Sequence, residues 1–340
     1  MRDVLDSLVR WADAGTRVAT ATVVQTERSA PRDAGAMLAV SERGEVVGSV
    51  TGGCVEPAVL EEARAVLAGG EARLHTYGIA DEEAFDVGLP CGGTVHIFVD
   101  ELDPFVAAEL ARAVADERSV ARVVPVSGPH AGAERLVFAD EPAGDETVRV
   151  AQELMASGET ALVRVGDEDV FVDSFAPRPN MYVFGAVDHA AALAAIGRFL
   201  GYRVTVCDAR AKFVTRERFP VADDLVVDWP DRFLERSPVD ERTVICVLTH
   251  DHKFDVPLLK LALGTNAGYI GAMGSRRTSD ERAERLRAEG VADEELARIH
   301  APIGLGIGAR TPQEVAVAIA AQLVQVTRAR KTELVRAASR

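Results

Sequence analysis

Two of the chain's four cysteines lie directly against paired glycines, where a thiol could take part in chemistry. Cys54 follows Gly52 and Gly53 and stands just before a predicted helix that begins near Pro57. Backbone N–H groups and the dipole at a helix N-terminus stabilise a thiolate, and glycines leave space for a bulky ligand. Cys54 is therefore a candidate nucleophile or a soft ligand for a transition metal, and the alternative is a buried structural cysteine.

Cys91 stands on the other side of its glycine pair, in the segment "CGGTVHIFVD", and a strand pattern follows it. No helix dipole stabilises a thiolate there, so the pattern favours a structural role, with cofactor binding by Cys91 as the alternative. The four cysteines include no C-x-x-C spacing, so the sequence predicts neither a zinc ribbon nor a thioredoxin-type dithiol.

His250, Asp251 and His252 follow the strand pattern "TVICVLT". In an open parallel sheet, ligands bind outside the carboxyl ends of the strands, so these side chains are expected at the functional edge. Two histidines beside an aspartate could bind a metal or transfer protons. Alternatively, Asp251 caps the next helix and the histidines face solvent. The residue types leave both interpretations open.

Two glycine-containing loops precede further predicted helices. Gly274 and Ser275 lead into a helix that starts with Arg276 and Arg277, which is a combination suited to an anion, although exposed arginines are often only solvated. The second loop, "APIGLGIGARTPQE", brings Gly306 and Gly308 before another helix N-terminus. Its expected capping box is formed by Thr311 and Glu314, with Pro312 at the first helical position.

The segment "YVFGAVDHAAALAAIGRFLGYRVTVCDAR" has the order strand, glycine turn, helix, strand and acid that is typical of a dinucleotide-binding unit. Gly185 forms the turn, and Asp208 stands where a ribose-binding carboxylate is expected. Val187, however, occupies the position at which glycine normally lets the pyrophosphate approach the backbone. Asp188 adds a negative charge at the phosphate-binding helix end. We therefore predict a Rossmann scaffold that does not bind NAD(P) in the usual pose.

The order of helix and strand patterns predicts two α/β domains. Residues 1–175 mix hairpins with helices, residues 176–180 ("APRPN") are typical of a linker, and residues 181–340 alternate strand and helix regularly. The strands of the second region are almost continuously apolar, as expected for a doubly wound parallel sheet buried on both faces.

The composition excludes several classes of partner. The chain has 340 residues and a formal net charge of −15, which disfavours nucleic acids and anionic membranes. The N-terminal segment carries acidic residues and no continuous apolar run, so no signal peptide is predicted, and we expect a cytoplasmic protein.

Six motifs in this order give the chain a family resemblance. The segments "GSVTGGCVEPAV", "GLPCGGTVHIFV", "LGYRVTVCDAR", "LTHDHKFDVPLL", "YIGAMGSRRT" and "IHAPIGLGIGARTPQEVAVAI" together resemble the XdhC/CoxI family of xanthine dehydrogenase accessory proteins. The resemblance extends over essentially the whole chain. It implies an N-terminal XdhC/CoxI domain followed by a C-terminal Rossmann-like domain.

The resemblance also implies a function. Members of this family are non-catalytic chaperones that bind molybdenum cofactor as cargo and protect it while a cysteine desulfurase provides its sulfido ligand. They then deliver the cofactor to a xanthine dehydrogenase-type apoenzyme. The family's cofactor-associated cysteine corresponds to Cys54, and a homodimer is expected. Two departures stand out: the turn reads "GAVDHA" in place of a GAGH-type turn, and Gly306 replaces an acidic residue.

Two other functions remain as alternatives. The first is an NAD(P)-dependent oxidoreductase that uses the Rossmann domain, against which Val187 and Asp188 count. The second is a metal-dependent hydrolase built on His250, Asp251 and His252, for which no further carboxylate at ligand spacing is evident.

Overall fold

The computed structural model describes residues 4–78, 93–142 and 144–338. The chain divides into two compact units, Met1–Pro177 and Arg178–Leu334, and Val335–Arg340 group with the first of them. The division falls within residues 176–180, the segment predicted to be a linker.

The first unit begins with a five-stranded sheet in the order β3-β2-β1-β5-β4, in which every pairing is antiparallel. Helix α2 covers one face through Val59, Ala63 and Val66, and α1 and α3 cover the other. Because both faces are covered, β2 is buried at all five positions. The elements are α1 (Leu5–Asp13), β1 (Val18–Glu27), β2 (Met37–Ser41), β3 (Val46–Gly48), α2 (Glu56–Leu67), β4 (Arg73–Tyr77), β5 (Thr94–Glu101) and α3 (Pro104–Ala115).

A second antiparallel sheet of four strands completes the first unit, in the order β7-β6-β9-β8. Its helix α4 begins where the Asp145 carboxylate accepts the Val148 N–H and ends at Gly158, whose φ of 71° is left-handed. The helix packs on the sheet through Ala151 and Leu154. The elements are β6 (Val120–Pro125), β7 (Arg135–Phe138), α4 (Glu146–Ser157), β8 (Ala161–Val165) and β9 (Glu168–Phe175).

The second unit contains a six-stranded parallel sheet in the order β12-β11-β10-β13-β14-β15, which confirms the predicted doubly wound Rossmann-like fold. Apolar cores lie on both faces, so that all four residues of β13 are buried. The strands are β10 (Asn180–Phe184), β11 (Arg203–Cys207), β12 (Asp224–Val226), β13 (Val244–Val247), β14 (Tyr269–Ala272) and β15 (Ile299–His300). The helices are α5 (Asp188–Phe199), α6 (Pro230–Glu235), α7 (His252–Leu263), α8 (Arg276–Ala288), α9 (Asp293–Leu296) and α10 (Pro312–Ala338), with a 3₁₀ turn at Ala211–Phe213.

The capping box predicted for the last helix is present. The Glu314 N–H donates to Thr311 Oγ1 at 3.2 Å, and the Thr311 N–H donates to Glu314 Oε2 at 3.0 Å. Within the described residues, no helix combines the length and the apolar character that a membrane span requires.

Candidate functional site

The loop that carries Cys54 has a left-handed backbone at both of its glycines. The φ angles are +85° at Gly52 and +125° at Gly53, a region that residues with a Cβ rarely adopt. A Cβ built at either position would meet no atom of the described residues within 4 Å. The positive φ angles therefore give both glycines a conformational role, and their predicted role of giving a ligand access to the thiol stays a prediction.

This backbone conformation turns the loop's N–H groups toward one carboxylate, that of Glu56. Both oxygens of Glu56 accept hydrogen bonds over 2.7–3.2 Å, and the donors are the N–H groups of Val50, Thr51, Gly52, Gly53 and Val55 and the hydroxyls of Ser49 and Thr51. Burial opposes the ionisation of Glu56, but these hydrogen bonds outweigh it and hold the pKa of the carboxyl well below its usual range.

A concave set of N–H groups of this kind is an anion-binding arrangement, and here the chain fills it with its own side chain. The sequence interpretation missed Glu56. The available signal was an acidic residue three positions after Gly53 at the start of a helix, which also suits the helix dipole.

Cys54 lies between the glycines and the first turn of α2 and is half-buried. Its N–H donates to Thr51 Oγ1 at 3.2 Å, so the residue is held by the same loop. Cys207 and Cys246 are buried, and burial raises the pKa of the Cys207 thiol to about 12 and that of Cys246 above its usual range. Among the cysteines that the structure describes, Cys54 alone is partly accessible. Cys91 lies outside the described residues.

In the second unit, the carboxylate of Asp208 accepts a hydrogen bond from the glycine turn that follows β10. Gly185 has a φ of +110°, and a Cβ there would lie 2.9 Å from Thr249 Cγ2. Asp208 accepts the Ala186 N–H at 2.8 Å and three N–H groups of Arg210 at 2.7–2.9 Å. Burial opposes the charge of Asp208, yet these bonds, led by those from Arg210, lower its pKa. The carboxylate expected to bind a ribose thus has its acceptor positions engaged within the chain.

We expect no binding of NAD(H) or NADP(H) with a dissociation constant below about 1 mM. Val187 caps α5 at the pyrophosphate position, the exposed Asp188 carboxylate pairs with Arg218 at 3.1 Å, and Asp208 is engaged by Arg210. Isothermal titration calorimetry of the purified chain measures this directly. A micromolar affinity for either nucleotide would contradict the prediction and favour the oxidoreductase alternative.

Asp251 serves as the N-cap of α7. Its carboxylate accepts the Lys253 N–H at 3.1 Å and pairs with Lys253 Nζ at 3.0 Å. His250 is exposed and His252 is half-buried. In the part of the chain that the structure describes, no three His, Cys, Asp or Glu side chains form a metal-binding group, so His250, Asp251 and His252 do not constitute one.

The two glycine loops place their residues at helix ends. Ser275 Oγ accepts the Thr278 N–H at 3.2 Å and caps α8, whose first residues Arg276 and Arg277 are exposed. Gly274 has a φ of +156°, at the limit of the left-handed region. A Cβ on Gly306 or Gly308 would meet no atom of the described residues within 4 Å, and Gly308 has a φ of +77°.

A buried ion pair below this edge of the sheet was not foreseen from the sequence. Arg282 Nη2 donates to Asp255 Oδ2 at 3.0 Å and to the Met273 carbonyl at 2.9 Å. The Thr249 hydroxyl donates to the other oxygen of Asp255. Both charged side chains are at most 2% exposed, and burial raises the pKa of the Asp255 carboxyl. The group joins the ends of β13 and β14 to α7 and α8.

Fold and local geometry define a class of protein with two α/β units. The first unit carries a glycine loop with a thiol, and the second is a Rossmann-like unit whose dinucleotide-binding turn is altered. Two family models match the chain, "XdhC and CoxI family" over residues 11–78 and "XdhC Rossmann domain" over residues 181–323. The chain belongs to the XdhC and CoxI family.

Curated relatives match over nearly the whole chain. A Bacillus subtilis protein described as a probable xanthine dehydrogenase subunit is 27% identical, with 90% of this chain and 92% of the relative covered. The "Molybdenum cofactor insertion chaperone PaoD" of Escherichia coli is 25% identical, with 96% and 88% covered. A crystal structure described as a xanthine dehydrogenase from Bacillus halodurans has the same fold, with a TM-score of 0.68, 24% identity and 96% of each chain covered.

Proposed function

We propose that this protein binds molybdenum cofactor as cargo, protects it during sulfuration by a cysteine desulfurase, and inserts it into a xanthine dehydrogenase-type apoenzyme. The name of the Escherichia coli relative supports a role in cofactor insertion, and that of the Bacillus subtilis relative supports a connection with xanthine dehydrogenase. The structural observation that carries the proposal is Cys54, a partly accessible thiol on a loop that is fixed before any ligand arrives. In this role the protein itself catalyses no reaction, and we propose that it acts in the cytoplasm as a homodimer.

The chemistry of Cys54 suits such a cargo. Thiolates are soft ligands that bind transition metals such as molybdenum. The described residues leave open space beside Gly52 and Gly53. Glu56 occupies the loop's N–H groups, so the loop offers the cargo a thiol and does not offer it an anion site.

The second unit, taken by itself, carries groups suited to a phosphate. Arg276 and Arg277 stand in the first turn of α8, where the N–H groups of a helix favour anions. The other residues of this unit that we propose to bind the cofactor are Gly185, Asp208, His250, Asp251, His252, Gly274, Ser275, Gly306 and Gly308.

The proposal is tested by isolating the protein from cells that make the cofactor and measuring molybdenum and pterin per chain. We expect both to be bound in a fixed ratio and the loaded protein to activate an apo-molybdoenzyme when the two are mixed. The control is the same protein isolated from cells that cannot synthesise the pterin. Protein that carries neither molybdenum nor pterin under cofactor-producing conditions would refute the proposal.

A further inference from the structure

The guanidinium of Arg122, on β6, is buried between two carboxylates in the first unit. Its Nη2 donates to Asp100 Oδ2 at 2.7 Å, and its Nε donates to Glu134 Oε2. All three side chains are at most 4% exposed, and neither carboxylate forms a further ion pair within the described residues. With both carboxylates ionised, one buried negative charge would have no counterpart, and an uncompensated buried charge is strongly unfavourable.

These three residues, the Arg122 cluster, connect the two sheets of the first unit. Asp100 lies on β5 of the five-stranded sheet, whereas Arg122 lies on β6 of the four-stranded sheet and Glu134 directly precedes β7 of that sheet. Glu134 Oε1 also accepts the N–H of Asp103 at 2.6 Å, just before α3, and the carboxylate of Asp103 accepts the Phe105 N–H. Hydrogen bonds of the cluster therefore cross from one sheet to the other, and a change in its charge acts on the contact between them.

The two carboxylates of the cluster differ in their other partners. Asp100 Oδ1 accepts the Thr20 hydroxyl at 2.5 Å, a hydrogen bond that favours its ionised form. Burial raises the pKa of the Glu134 carboxyl and outweighs the opposing effect of Arg122, and the charge of Asp100 raises it further. Protonation is therefore expected first at Glu134, although the proton belongs to the coupled pair.

The remaining charged groups around the cluster come from three elements. On β9, Asp173 is 5% exposed, and its negative charge acts on Arg122. In the loop between β1 and β2, Arg32 lines the same cavity as Asp173. On β7, Arg135 forms a solvent-exposed pair with Asp145 at 3.1 Å. Both of these arginines lie beside carboxylates outside the cluster, and Asp173 adds a further negative charge.

We propose that the Arg122 cluster holds one proton between Asp100 and Glu134 in the folded protein and so forms a proton-dependent clamp between the two sheets of the first unit. When the proton is lost at rising pH, the buried negative charge is no longer compensated and the clamp weakens. The clamp includes neither Cys54 nor any other residue proposed to bind the cofactor. It therefore goes beyond the proposed function and does not depend on it.

The direction of the pH dependence follows from the raised pKa of Glu134. Its contribution to stability is complete below the usual value of 4.5 and is lost as the pH rises through the folded value. Folding takes up a proton in this range, so the equilibrium constant for folding falls by up to about tenfold per pH unit. A carboxyl with a lowered pKa, such as Glu56, acts in the opposite direction and at lower pH.

The test is urea denaturation of the full chain between about pH 5 and about pH 9, followed in the first unit. The chain has two tryptophans, and Trp11 lies in the core of this unit, so a Trp229→Phe background makes the fluorescence specific to it. We expect the urea midpoint of this protein to fall as the pH rises. Glu134→Gln, which resembles the protonated carboxyl in shape and charge, should reduce this dependence by about one proton.

The matched control is Glu101→Gln on the same strand as Asp100. Glu101 is an exposed carboxylate that pairs with Arg17 at 2.5 Å, so this variant should keep the full pH dependence. A pH dependence in Glu134→Gln equal to that of the background protein would overturn the proposal.

A second measurement needs no variant and covers the case in which Glu134→Gln does not fold. The NMR signals of the Glu134 and Asp100 carboxyl carbons, assigned through the bonds of each side chain, report ionisation directly. We expect a titration step shared by the two signals, with a midpoint above the usual value of 4.5 for a glutamate. Two signals already at their ionised positions at about pH 5 would contradict the proposal.

Discussion

Cys54→Ser should abolish the binding of molybdenum and pterin while leaving the protein folded. The hydroxyl of serine is a poor ligand for a soft metal, and it is not ionised near neutral pH. Cys54 is half-buried in a loop held by Glu56, so the substitution removes little packing. We expect occupancy to fall at least tenfold, with an unfolding temperature close to that of the wild type. Metal analysis, pterin fluorescence and a thermal melt measure these quantities.

The matched control is Cys246→Ala, which removes a thiol that is fully buried in β13. It should lower the unfolding temperature, because it leaves a cavity in the core, and should not change cargo occupancy. Cys91→Ser, which lies outside the described residues, is predicted from the sequence to reduce stability at least as much as binding. Wild-type occupancy in Cys54→Ser would remove the basis of the proposed function.

Glu56→Gln should have the second large effect, on stability and on the state of the loop. In glutamine an NH₂ group replaces one of the two carboxylate oxygens. That oxygen accepts hydrogen bonds from the N–H groups of the loop, so several hydrogen bonds are lost. We expect a loss of about 2 kcal/mol and an unfolding temperature lower by about 5 °C. The control is Glu61→Gln on the same helix, an exposed carboxylate paired with Arg64, which should change stability by less than about 0.5 kcal/mol.

The effect should also depend on pH. The folded pKa of Glu56 lies below the usual value of 4.5, so its stabilising contribution is complete above that pH and declines as the pH falls below it. The difference in unfolding free energy between wild type and Glu56→Gln should therefore be constant from about pH 6 to 8 and shrink on acidification below about pH 4.5. Chemical denaturation across this range measures it. A difference that is independent of pH would mean that Glu56 is not the ionised centre of the loop.

The Rossmann unit could be predicted because its strands are apolar at nearly every position, a pattern that a parallel sheet covered on both faces produces. The cap of the last helix could be predicted because Thr311 and Glu314 act locally. In the first unit, strands and helices were visible in the sequence. Their separation into a five-stranded and a four-stranded sheet was not, since the pairing of β6 with β9 is non-local.

The burial of Arg282 and the role of Glu56 were both missed in the sequence, for the same physical reason. Arg282 lies in "RRTSDERAERLRAEG", which is charged on all sides and predicts a solvated helix, and it is buried because Asp255 lies 27 residues earlier on a neighbouring helix. Glu56 is an ordinary acid at a helix start until the φ angles of Gly52 and Gly53 turn the N–H groups toward it. Each depends on a spatial arrangement that residue type and spacing do not record.

The carboxylate within the Cys54 loop has a consequence for selectivity in the cell. Phosphate, sulfate and molybdate are free oxyanions that an open ring of N–H groups would attract. Glu56 is tethered beside that ring, so it competes at an effective concentration on the order of millimolar or more, and it cannot diffuse away. Free oxyanions therefore meet an occupied position next to Cys54. Ligand selectivity at this loop therefore comes from the thiol, which prefers soft metals and does not select a ligand by its negative charge.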